Sequence, residues 1–323
     1  MGTFQNLVRS VACAAIAFGQ DGHAVNQKQF EDWMKNLSNW GRWGADDERG
    51  SLNLITPAKR KAAAKLVREG VTVSLAHDAE KSTATDNPRP FVHEMLSTGS
   101  TPNAQAHSDS FNVAHHGLAH THLDALCHFF WNGKMYNGTG REVVGEKGAS
   151  KLSVWNAKSG IFTRGVLMDI PELKGLPWLE PGTPVYPEDL EAWERKSKTK
   201  VQPGDVVLLR TGRWARRAAK GPNPPGQLAG LHASCIPWLK SRDIGALGSD
   251  AASDVMPSGV EGVRQPIHVF TLVALGAHIF DNVDLEEASK AAKQRGRWEF
   301  LVTAAPLAVP GATGSPFNPT AVF

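Results

Sequence analysis

Within fourteen residues, the stretch from His115 to His128 gathers five imidazoles (His115, His116, His120, His122 and His128) and one carboxylate, Asp124. In extended backbone, side chains alternate between faces, so His120, His122 and Asp124 point the same way and present an N,N,O donor set. Crowding such groups without a cation costs several kcal/mol in desolvation and repulsion, about what a divalent metal would relieve. The competing reading is a polar strand carrying solvated histidines. His128 stands four residues beyond Asp124. It serves either as a further ligand or, better, as a free imidazole that moves a proton beside the metal. Cys127 reads as a small buried hydrophobe, because nothing nearby in the sequence marks an activated thiolate.

Other elements must hold this stretch in place. Phe30, Trp33, Met34 and Leu37 recur at helical spacing over 27–37. Thr56-Pro57 and Gly70 bracket a helix over 57–69. Apolar strands are expected at 71–75, 166–170, 205–210, 244–247, 278–281 and 300–304, with helices at 187–196, 236–240, 267–275 and 285–294. Extended structure is expected at 93–96, and a metal-bearing strand or strand-loop over 111–124. Strands alternating with helices indicate an α/β fold. Two aromatic groups lie close by in sequence. Phe129, Phe130 and Trp131 follow the histidines directly, and Phe129 and Trp131 read as pocket walls. The loop from Trp40 to Trp43 is the other group, and Trp43 is a candidate substrate contact, although burial in the core is the commoner fate of such residues.

The chain has 323 residues, a net charge of +3 and three cysteines. Those values exclude a disulfide framework and give no support for a nucleic-acid or membrane-surface partner. The expected partner is a small-molecule substrate. Arg9 and the apolar run from Val11 to Phe18 fit either a cleaved secretory signal of about residues 1–19 or a short helix, so the cytoplasm and export both stay open. The division expected is an N-terminal extension over 1–39 and one catalytic domain over 40–323.

The sequence contains no His-Glu-x-x-His, Gly-x-Ser-x-Gly, P-loop or Gly-x-Gly-x-x-Gly motif. What His120-Thr121-His122-Leu123-Asp124-Ala125 with His128 does resemble is the signature of the cyclase family, which includes bacterial kynurenine formamidases, isatin hydrolases and trans-dienelactone hydrolases. The likeness extends to 165–169, 203–212, 246–250 and 306–316. It implies a swivelling β/β/α domain, commonly in a homo-oligomer, with His122 and Asp124 as metal ligands, Asp124 able to bridge two ions, and His128 in proton transfer. It further implies a second metal position at His268 and Asp281. Two departures stand out. The family's first histidine falls on Leu118, so His120 is the expected substitute and His116 the fallback. The family's usual Glu is Asp281, a shorter reach. Nitrogen and carboxylate ligands suit Zn²⁺ or Mn²⁺, one or two per subunit. The expected chemistry is hydrolysis by metal-activated water. The bond would be an amide of an N-formyl aromatic or a cyclic amide, with a lactone or ester as the alternative and a non-catalytic binding protein as the contrasting reading.

Overall fold

The computed structural model describes residues 22–323, so the expected signal segment lies outside them. Among the described residues, nine strands form one curled sheet. Its centre is parallel, running Ile161–Asp169, Val206–Arg210, Ala246–Ser249 and His278–Asp281. The last three strands are buried along their whole length, as expected for parallel strands covered on both faces. Antiparallel strands complete each side. Glu299–Ala304, Thr320–Val322 and Thr72–Ser74 follow Ile161–Asp169, and His122–Asp124 and Gly314–Pro316 follow His278–Asp281. This is the α/β architecture expected from the sequence.

Helix boundaries follow local chemistry. Asn26 caps Gln27–Asn36 by accepting the Gln29 amide hydrogen at 2.8 Å, and Phe30 on that helix is fully buried in the main core. Thr56 caps Pro57–Ala64 in the same way. That helix stops five residues short of the expected Glu69, because the backbone amides of Glu69 and Gly70 turn to the Phe323 carbonyl. The expected helix over 267–275 begins as Pro266–Val269 and continues as a π-helical run, Phe270–Leu275, which ends at Gly276 with φ +68°. A Cβ at Gly276 would lie 2.3 Å from the Tyr136 ring, and its carbonyl accepts the Ser51 amide hydrogen at 2.7 Å. Gly276→Ala is therefore expected to cost about 2–4 kcal/mol, read as a lowered denaturant midpoint at unchanged slope.

Of the strand or strand-loop expected over 111–124, the structure has the second, with a loop between two short strands. Val92–Ser97 and Ser108–Asn112 form an exposed hairpin. The chain then loops through Gly117, with φ +145°, before the three-residue strand His122–Asp124. Asn282 holds the loop by donating to the Gly117 and His120 carbonyls at 2.8 and 3.1 Å, and Arg213 donates to the Leu118 carbonyl. No helix among the described residues is long and apolar enough to cross a membrane.

Candidate metal centre

Sheet register builds the first part of the site. In the antiparallel pairing of His122–Asp124 with His278–Asp281, Asp281 lies opposite His122, and Asp124 follows His122 by two residues. All three side chains therefore share one face. His268 enters from the helix that precedes His278–Asp281 in the chain, and His116 from the loop before His122.

Each of three imidazoles is anchored by one nitrogen and aims the other inward. His268 donates its Nδ1 hydrogen to Asp254 Oδ2 at 2.6 Å, and its Nε2 lies 3.0 Å from Asp281 Oδ2 and 3.9 Å from Asp124 Oδ2. His122 donates Nδ1–H to the His120 carbonyl at 2.8 Å and turns Nε2 to within 3.4 Å of Asp124 Oδ1. His116 Nε2 meets the Thr313 hydroxyl at 3.1 Å, and its Nδ1 lies 3.0 Å from Asp124 Oδ1. For His268 and His122 the outer partner can only accept, which sets the tautomer that leaves the inner lone pair free for a metal, and the Thr313 hydroxyl orients the His116 ring. The donor atoms form two groups that share Asp124, one with His116 and His122, the other with His268 and Asp281.

The orphaned atoms fit a cation. Both Asp124 oxygens, Asp281 Oδ1 and His116 Nδ1 are buried without a hydrogen-bond partner among the described residues. A divalent ion in each donor group would satisfy these lone pairs, whereas leaving them unmet carries the full desolvation cost. Donors about 2 Å from one ion stand roughly 3 Å apart, the order of the spacings seen here. The electrostatics agree. Asp124 is pushed up by burial, but the charges of His128 and His122 reverse this and hold it well below the usual carboxylate range. Burial also opposes protonation of His268, yet Asp281 and Asp254 outweigh it and the imidazole is raised.

His128 behaves differently. Its Nε2 is 3.7 Å from Asp124 Oδ1 and its ring stacks on His116 at 3.8 Å, without the anchoring bond the other three possess. Burial pushes its imidazole down to about 4, so near neutral pH it is a free proton acceptor. Cys127 is buried and its thiol pushed up to about 12, the inert state expected of it.

A cavity of about 200 Å³ opens on these groups, lined by His122, Asp124, His128, His268 and Asp281, with Leu118, Phe129, Ala252 and Met256 as an apolar wall and Arg264 and Gln265 beside them. Phe129, a pocket wall in the sequence reading, lines this cavity. Trp131 and Trp43 do not line this cavity. Trp131 packs edge-on against Phe30 at 5.3 Å, and Trp43 lies under the Arg42 guanidinium at 4.7 Å, with Arg42 paired to Asp243.

The geometry also replaces His120 with the fallback, His116. The strand begins only at His122, so alternation does not extend back to residue 120. The His120 carbonyl is spent on His122 and Asn282, while its ring lies near Phe91 at 6.2 Å, in a separate cavity with Asp86 and Arg89. His116→Ala is accordingly expected to weaken metal affinity by more than the roughly 10- to 100-fold typical of losing a ligand's outer partner, whereas His120→Ala leaves it within about twofold, measured by competition with a chelating dye. Two supporting residues, Asp254 and Thr313, escaped the sequence reading. Asp254 carries no motif signal. Thr313 sits in the C-terminal Gly-rich run, where Gly314 has the role its neighbours need: a Cβ there would lie 2.6 Å from the His116 ring.

With this geometry in hand, the comparisons identify the class. The family model described as "Putative cyclase" matches residues 62–254, more than half the chain, and the protein belongs to the cyclase family. A crystal structure described as a novel cyclase is 34% identical, covers 90% of this chain and 99% of its own, and superposes with a TM-score of 0.80. Isatin hydrolase A from Ralstonia solanacearum has the same fold at 18% identity, covering 82% of this chain and 97% of its own, with a TM-score of 0.58. Isatin hydrolase A from Labrenzia aggregata is likewise 18% identical, covering 81% and 96%, at 0.58. No curated protein matches the chain.

Proposed function

We propose that the protein is a metal-dependent hydrolase of a small carbonyl substrate. The observation that carries this reading is the convergence of two tautomer-fixed imidazoles, His268 and His122, and a third, His116, held by Thr313, on a buried Asp124 without hydrogen-bond partners among the described residues, lining an open cavity. His116, His122, Asp124, His268 and Asp281 would hold one ion or two bridged by Asp124, and this nitrogen and carboxylate set suits Zn²⁺ or Mn²⁺. Such an ion, when bound, supplies positive charge to polarise a carbonyl and acidifies water.

The chain's own residues do the rest. Leu118, Phe129 and Met256 bury the apolar body of the substrate and thin out competing water. His128, neutral and unanchored, accepts the proton released as the water oxygen bonds to the carbonyl carbon. It then delivers that proton to the departing nitrogen or oxygen as the scissile bond breaks. Phe129 against the His128 ring at 5.0 Å favours an aromatic substrate, and with it an aryl formamide or cyclic aryl amide. A lactone or ester is the second reading, since the cavity holds no feature that demands nitrogen as the leaving atom. Hydrolysis of N-formylkynurenine and of an aryl lactone, followed separately on the Zn- and Mn-loaded protein, tests this reading. Cleavage of the formamide alone supports the amidase, cleavage of the lactone alone selects the second reading, and inertness toward both, at any metal loading, contradicts hydrolysis.

A further inference from the structure

We infer that Arg264, with Gln265 beside it, forms an anion-binding subsite that selects substrates carrying a carboxylate at the end remote from the scissile bond. This rests on the hydrolase reading of the metal cavity and adds the charge of its substrate. Among the described residues, Arg264 is the one Lys or Arg that lines the cavity. Neither its guanidinium nor the Gln265 amide has a partner among the described residues. Arg164, Arg210, Arg213, Arg217 and Arg242 each hold a carboxylate, whereas Arg264, an exposed residue at the cavity mouth, holds none among the described residues. An unpaired guanidinium at a metal cavity is matched by a planar carboxylate, which it can grip with two parallel hydrogen bonds.

The local chain supports the assignment. Arg264 ends a loop, 256–264, that rings a second, outer cavity of about 600 Å³, and Arg264 and Met256 line both cavities. Glu261, the carboxylate of that loop, lines only the outer one. Charge balance points the same way. With Asp124 and Asp281 neutralised by a divalent ion, Arg264 leaves the inner cavity positive, which favours an anion. The substrate class is therefore a carbonyl compound with an apolar, aromatic-sized body and a terminal carboxylate.

The test uses the full-length metal-loaded protein and a matched pair of probes, 4-formamidophenylacetate and 4-formamidophenylacetamide, identical except for charge. Calorimetric binding and hydrolysis are both measured for the unaltered protein, Arg264→Ala and Arg264→Lys, with metal content checked in each. The carboxylate is expected to bind about tenfold tighter than the amide, with the gain appearing in KM rather than kcat. Arg264→Ala should erase the preference and Arg264→Lys restore part of it. Binding preference that depends on Arg264 without hydrolysis of either probe would uphold the subsite while contradicting the formamidase reading. Hydrolysis of both probes with the same ratio in the unaltered protein and Arg264→Ala overturns the subsite and leaves the hydrolase standing. A carboxylate preference that persists in Arg264→Ala also overturns it, since the anion would then be held elsewhere.

Discussion

Asp124→Asn is expected to abolish metal retention and to lower kcat/KM by about 10³-fold or more, the largest single effect at this centre. Both candidate donor groups include Asp124, so one substitution weakens both. The carboxylate is fully buried and its oxygens lack hydrogen-bond partners, so its place in the fold is not to hold the backbone together. An amide keeps the shape but contributes one neutral oxygen and an NH₂ that faces the inner nitrogens of His116 and His122. Loss of a divalent ion removes several kcal/mol of stabilisation of the developing negative charge, which sets the scale of the rate change. Elemental analysis of the variant checks the first part and steady-state kinetics the second. A variant that keeps a full complement of metal and most of its activity would remove Asp124 from the centre.

His128→Ala is expected to separate chemistry from metal binding. Its imidazole lies beside Asp124 but has no anchoring hydrogen bond and stacks on His116 at an interplanar angle of 6°. A ring held only by stacking is free to approach a reacting proton, whereas the three anchored rings are not. Removing it should lower kcat by about 10²- to 10⁴-fold, the usual contribution of a general acid or base. Metal stoichiometry should be unchanged and KM altered little. An unchanged kcat would take His128 out of the mechanism, and a loss of metal would make it a ligand.

Particular residues show which parts of this arrangement were legible in the chain. The buried strand at 206–210 carries its apolar character in sequence, and Thr56-Pro57 announces a helix start through cap chemistry that needs no tertiary partner. His122 and Asp124 are legible because two-residue spacing on a strand is a local property. His116 is another matter. It reaches the centre only because Gly117 turns the loop, Asn282 ties it down from 165 residues away in sequence, and Gly314 leaves room for the ring. Those are long-range facts, and alternation alone therefore favoured His120. Trp131 and Trp43 do not line the metal cavity of their own chain, because proximity in sequence to His128, or richness in aromatics, does not fix the side of the sheet on which a loop packs. Arg264 gave no signal because an isolated arginine becomes informative only once the cavity beside it and its lack of a partner are visible.

The measurement that bears most directly on the central claim is metal stoichiometry by elemental mass spectrometry on the purified full-length protein, before and after exhaustive chelation, with hydrolysis followed alongside. One or two Zn or Mn ions per chain are expected, lost on chelation together with activity and restored with it by adding back either ion. A protein that holds no divalent ion after incubation with Zn²⁺ or Mn²⁺, and gains no hydrolytic activity from either, would contradict the account.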